Sequence, residues 1–167
     1  MNFEHLIEIN DPDSPDIRPL SRTELWRGLV MRAEQPQVSV LALDECTILE
    51  RGADYLEREL RFGQLRVRDR VLLAAFESVT YETEAGADFP ASRLTMSIEE
   101  PLPGRLFLRF VYADRDAQPG AGPDSFYGAH LRQAYIEADI DTVRTIRRLA
   151  GEGLLGGEPD QSPARPI

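Results

Sequence analysis

Arg58 and Asp69 are the residues whose type and spacing point most directly to chemistry. On the segment 55–62, Leu56, Leu60 and Phe62 alternate onto one face, and Arg58 shares it. On 65–74, Leu65, Val67 and Val71 share a face with Asp69. Gly63-Gln64 between them has the composition of a two-residue type II′ hairpin turn. That turn sets Phe62 opposite Leu65, Leu60 opposite Val67, and Arg58 opposite Asp69. Both charges then point with the apolar residues and toward each other. A buried ion pair persists when each partner satisfies the other, and deleting one costs about 3–5 kcal/mol. The first reading of the pair is a structural cross-strand tie. The second is a polar anchor in a cavity wall, with Arg58 holding a ligand carboxylate, phenolate or carbonyl.

His5 stands among Phe3, Ile7 and Ile9 on the alternating segment 3–9. A lone histidine on an apolar face is read first as a core residue with its ring satisfied. In a cavity wall it would serve as an acid or base near neutral pH. His130 reads as a surface residue. Tyr127, Leu131, Ala134, Tyr135 and Ala138 fall on one face of a long helical segment, with Thr142, Ile146 and Leu149. Tyrosine joins an apolar ring to a polar tip, and the alanines leave room beside it. Leu60, Tyr81, Leu108, Phe110 and Tyr112 would complete the wall from the strands. The same residues also suit ordinary packing of a helix on a sheet.

Other chemistries find no support. Two histidines and one cysteine without close spacing give no zinc pattern, so no metal is expected. Gly120-Ala121-Gly122 lacks the spacing and the lysine of a phosphate loop, and no cofactor is implied. No serine sits in a nucleophile elbow. Cys46 follows Asp44 and Glu45, which disfavour its thiolate.

The elements that must position these residues follow from the pattern. A half-buried strand over 3–9 precedes a Pro- and Asp-rich loop over 10–19. Ser21-Arg22-Thr23-Glu24 fits a capping box, and Pro36 stops the helix it opens. A short helix or turn is expected over 36–43. Strand-like segments follow at 44–51, 55–62, 65–74, 78–83, 93–99 and 105–112. A loop over 114–123 leads to a helix from 124 to 150, with Gly151 as its stop. Ile136 and Ile140 fall on the far side of that helix. The predicted class is α+β: one domain over 1–152 and a flexible tail over 153–167. A curved antiparallel sheet with its last helix laid across the open face encloses a cavity.

The net charge of −10 disfavours nucleic acid and anionic membrane surfaces as partners. With 42% hydrophobic residues the chain can bury a sizeable core. No apolar run approaches the roughly 20 residues of a membrane span. Residues 1–11 lack the apolar run of a signal peptide, and one cysteine permits no internal disulfide. A cytoplasmic protein is expected, as a monomer or as a homodimer through an exposed edge strand.

Several stretches resemble a known family. They are residues 20–30 (LSRTELWRGLV), Arg32-Ala33-Glu34, Glu50-Arg51-Gly52, 55–62, Val67-Arg68-Asp69-Arg70, and the helix around Ala134-Tyr135. Together they resemble the AtaL-like family of the START-like superfamily, which includes birch-pollen-allergen-like proteins and polyketide cyclases. The likeness spans residues 1–150. It implies the helix-grip fold: a sheet of about seven strands wrapped around the C-terminal helix, with one or two short helices after the first strand. It brings no catalytic motif, because this fold hosts carriers, cyclases, lyases and chaperone cofactors. The expected function is binding of an apolar, aromatic or polyketide-like small molecule. The alternative is a polyketide cyclase- or dehydratase-like enzyme using general acid–base chemistry in the same cavity.

Overall fold

Alternation of burial along the strands decides which way the sheet faces. The computed structural model describes residues 2–40, 42–87, 89–114 and 126–156, with 126–128 as backbone only. Its elements are β1 (Phe3–Glu8), α1 (Arg22–Glu34), a 3-10 turn (Pro36–Val38), β2 (Glu45–Arg51), β3 (Tyr55–Phe62), β4 (Leu65–Ala74), β5 (Ser78–Thr83), β6 (Ser92–Leu102), β7 (Arg105–Asp114) and α2 (Phe126–Gly151). The strands form one antiparallel sheet in the order β1-β7-β6-β5-β4-β3-β2. This is the α+β helix-grip arrangement that the sequence predicts.

The hairpin register is as derived. Phe62 pairs with Leu65, Leu60 with Val67, and Arg58 with Asp69. Gly63 adopts φ +65°, the conformation that the first position of a type II′ turn requires. β6 and β7 extend past their expected ends, to Leu102 and Asp114, because the Pro103-Gly104 turn pairs Leu102 with Arg105.

Register carries the inward face across the sheet in rows. One row runs His5–Phe110–Met96–Val79–Leu73. The next runs Phe3–Tyr112–Leu94–Tyr81–Val71–Leu56. The one beyond is polar: Asp114–Ser92–Thr83–Asp69–Arg58. The core fills the deeper rows, where Phe110, Met96, Val79 and Leu108 are fully buried.

Two helices cover this face. Ser21 Oγ accepts the Glu24 N–H and Glu24 accepts the Ser21 N–H, both at 3.0 Å, which completes the capping box of α1. Leu25 and Leu29 anchor α1 in the core. Gly28 lets α1 approach α2, since a Cβ there would stand 2.6 Å from Ile146 Cγ2. The glycine that caps α2 is Gly153, two residues beyond the expected stop at Gly151, where the helix itself ends. Gly153 N–H bonds to the Ala150 carbonyl and Leu154 N–H to that of Leu149, with Gly153 at φ +75°, which is a Schellman cap. Leu155 is buried in the core, and its carbonyl accepts from Arg27. Residues 157–167 lie outside the described residues, as does the predicted loop from 115 to 123. Among the described residues no helix is long and apolar enough to cross a membrane.

Candidate functional site

The polar row and the tyrosine row meet under the helices, and there the packing leaves a cavity of about 240 Å³. The sheet supplies Leu60, Tyr81, Leu94 and Tyr112, with Arg58, Asp69, Thr83, Ser92 and Asp114 from the polar row. α1 adds Arg32, the turn after it adds Pro36 and Val40, and α2 adds Tyr135. The volume lies below the roughly 300–1,000 Å³ of a drug-sized site, so it suits a molecule of one or two rings.

Arg58 and Asp69 form a closed fork on the cavity wall. Arg58 Nε donates to Asp69 Oδ1 at 2.9 Å and Nη2 to Oδ2 at 2.6 Å, while Nη1 donates to the Ala33 carbonyl at 2.7 Å. Burial opposes the charge on Arg58, but the bonds and attraction from Asp69 outweigh it and hold its pKa above the usual arginine value. The guanidinium is thus committed first to Asp69 and to α1. The pair ties β3 to β4 and α1, and it also lines the cavity.

Tyr81 stands beside it. The guanidinium carbons of Arg32 and Arg58 lie 5.0 and 5.2 Å from its ring centre. Its hydroxyl is buried and has no hydrogen-bond partner among the described residues. Such a group normally finds a partner, because an unpaired buried hydroxyl costs about 1–3 kcal/mol.

A second cluster backs the wall. Tyr112 stacks on Tyr135 with ring centres 3.8 Å apart and planes within 8°. Its hydroxyl donates to Asp139 Oδ1, and the Nδ1 of His5 lies 3.1 Å from Asp139 Oδ2. Asp139 is 1% exposed. Burial pushes its pKa up, against the opposing pull of Tyr112, His5 and Arg32. Burial, then the bond to Asp139, drives the Tyr112 phenol well above its usual range, so it stays protonated. The chain His5–Asp139–Tyr112 joins a partly exposed imidazole to a cavity-lining hydroxyl. Chemically it fixes the Tyr112 hydroxyl and gives it a route for proton exchange.

The family described as acetylaranotin biosynthesis cluster protein L matches residues 7–153. The chain belongs to this AtaL family. No curated protein matches it in sequence. Solved structures share its fold at low identity. The Zhui aromatase/cyclase from Streptomyces sp. R1128 is 13% identical, with 95% of this chain and 99% of that one covered and a TM-score of 0.59. A START superfamily protein from Mycobacterium smegmatis is 13% identical over 90% and 97% of the chains, with a TM-score of 0.55. The Aha1 dimer from Colwellia psychrerythraea is 13% identical over 88% and 96%, with a TM-score of 0.57. Such different proteins share one scaffold, which leaves function to the site.

In this AtaL-family chain Arg58, Leu60, Asp69, Tyr81, Tyr112 and Tyr135 line the cavity. His5 does not line it, but stands behind Tyr112 through Asp139. Leu108 and Phe110 lie deeper, both 0% exposed, and belong to the core. Ala134 and Ala138, expected to leave room in the wall, are exposed, and half-buried Leu131 does not reach the cavity. The inner face of α2 instead runs through Tyr135, Asp139, Thr142, Val143, Ile146 and Leu149. The helix is turned so that the Asp139 carboxyl, polar by type, meets the Tyr112 hydroxyl and a ring nitrogen of His5 inside. The side chain of Tyr127 lies outside the described residues.

Sequence reading missed Asp139, Arg32 and the rest of the polar row. Thr83, Ser92 and Asp114 were within reach, because carrying the Arg58–Asp69 register across two more strands names them. Asp139 left no such signal, since its partners come from β1 and β7.

Proposed function

We propose that this protein binds an apolar, aromatic small molecule in the cavity between the sheet and α2. The observation that carries this reading is the cavity itself, with the stacked Tyr112–Tyr135 pair and Tyr81 on one side and a polar row on the other. Flat aromatic walls suit a planar ligand, and a few polar groups orient it. The volume favours one or two rings over a larger polyketide-like molecule. The aromatase/cyclase and the START superfamily protein among its structural relatives fit this reading. We place the protein in the cytoplasm, as a monomer or a homodimer through the free edge of β1 or β2. Native mass spectrometry of the purified protein, followed by denaturing extraction, tests the binding reading. A co-purified aromatic compound is expected. Bare chain mass, together with no binding across a panel of one- and two-ring aromatics, would refute it.

The His5–Asp139–Tyr112 chain favours a second reading, in which the bound molecule undergoes general acid–base chemistry at Tyr112. Turnover of the extracted ligand that persists unchanged in Tyr112→Phe would remove that assignment.

A further inference from the structure

We infer that the ligand carries an oxyanion or a comparable acceptor oxygen, a ring carboxylate or phenolate, that seats between Tyr81 and Arg32. This rests on the binding reading above and names the chemistry of its polar end. Two independent observations meet at one place. Tyr81 lines the cavity with 6% of the residue exposed, and its buried hydroxyl has no hydrogen-bond partner among the described residues. A buried hydroxyl in that state is completed by something the cavity receives.

Arg32 decides what that something is. Its Nε donates to Thr142 Oγ1 at 3.2 Å, and no carboxylate lies within salt-bridge distance of it among the described residues. The other guanidinium beside Tyr81, that of Arg58, is answered by Asp69, while Arg93 pairs with Glu82 on the outer face of the sheet at 3.0 Å. Asp139 feels the Arg32 charge but is held by Tyr112 and His5. Of the two guanidiniums beside Tyr81, Arg58 is held by Asp69, and Arg32 bonds Thr142 through its Nε among the described residues. An acceptor oxygen placed there takes the Tyr81 O–H and an Arg32 N–H together, and charge-assisted bonds of this kind are the strong ones. A donor-only group would face guanidinium on one side and leave the arginine unanswered.

The probes are 2-naphthoate and its neutral counterpart 2-naphthamide, titrated calorimetrically into the full chain at neutral pH and low salt. Naphthoate is expected to bind at least about tenfold more tightly, as one charge-assisted bond supplies. Tyr81→Phe and Arg32→Gln should each remove most of that preference while leaving naphthamide within about twofold. Tyr81→Phe deletes a hydroxyl that bonds none of the described residues, so loss of fold does not confound it. Arg93→Gln should leave the preference intact. Equal binding of the two probes, a preference untouched by both variants, or no naphthoate binding at millimolar concentration overturns the inference. If naphthamide binds without a naphthoate advantage, or a neutral compound is extracted, the oxyanion seat falls and the binding cavity stands. If neither probe binds and the purified chain is bare, both fall.

Discussion

Asp139 is the residue where burial and function compete most directly. Its carboxyl is enclosed by Tyr112 and His5, and burial lifts its pKa above the ordinary carboxylate value. A carboxyl with a raised folded-state pKa binds its proton more tightly folded than unfolded. Its stabilising contribution is full below the unfolded value and fades as pH rises through the folded one. Asp139→Asn keeps the shape, accepts from Tyr112 through its carbonyl and donates to His5 through its amide. We therefore expect the variant to match or exceed the parent at neutral pH, with the advantage shrinking as pH falls to 4. Urea unfolding at a series of pH values measures this. An advantage that grows toward acid pH would show that Asp139 is held ionised instead.

At the scale of elements, the β4–β5 turn is the least relaxed part of the backbone. Phe76 occupies it at φ +63°, where L-residues pay about 1–2 kcal/mol and glycine pays little. The ring is what the turn gains: it lies 5.8 Å from that of Trp26 on α1, and Arg22 Nε bonds the Phe76 carbonyl at 3.0 Å. The turn thus couples the sheet to α1, the helix that delivers Arg32 to the cavity. Phe76→Gly and Phe76→Ala both lose the ring, and only alanine keeps the backbone strain. The glycine variant should be the more stable of the two by about 1 kcal/mol in urea unfolding. Equal stabilities would mean that the turn relaxes when the ring is gone.

Across the whole molecule, closure depends on the first strand reaching the last. β1 lies on β7, with Phe3 opposite Tyr112 and His5 opposite Phe110. This pairing is distant in sequence, covers the edge of β7, and brings His5 to Asp139. Removing residues 2–9 should abolish the cooperative thermal transition followed by circular dichroism. A truncated chain that melts within a few degrees of the full one would show that β7 and α2 hold the cavity without it. Every one of the 19 basic residues is arginine. Outside the cavity many of them join strands through glutamates, as in Arg70–Glu57, Arg93–Glu82 and Arg109–Glu99. Exposed pairs of this kind contribute about 0–1 kcal/mol each, so the fold rests on the inner rows.

What was legible in the chain was what neighbours in sequence decide. The Ser21–Glu24 cap, the alternating strands and the Gly63 turn each rest on contacts a few residues apart, and the turn alone sets Arg58 against Asp69. The inner wall of α2 was not legible. Its sequence allows Ala134 and Ala138 to face inward, and hydropathy puts Asp139 outside. Its rotation follows from hydrogen bonds to Tyr112 and His5, on strands brought together by folding. That the Tyr81 hydroxyl has no hydrogen-bond partner and Arg32 no ion pair among the described residues is likewise a fact of packing. It depends on which groups stay out of reach, and only the assembled sheet and helices settle that.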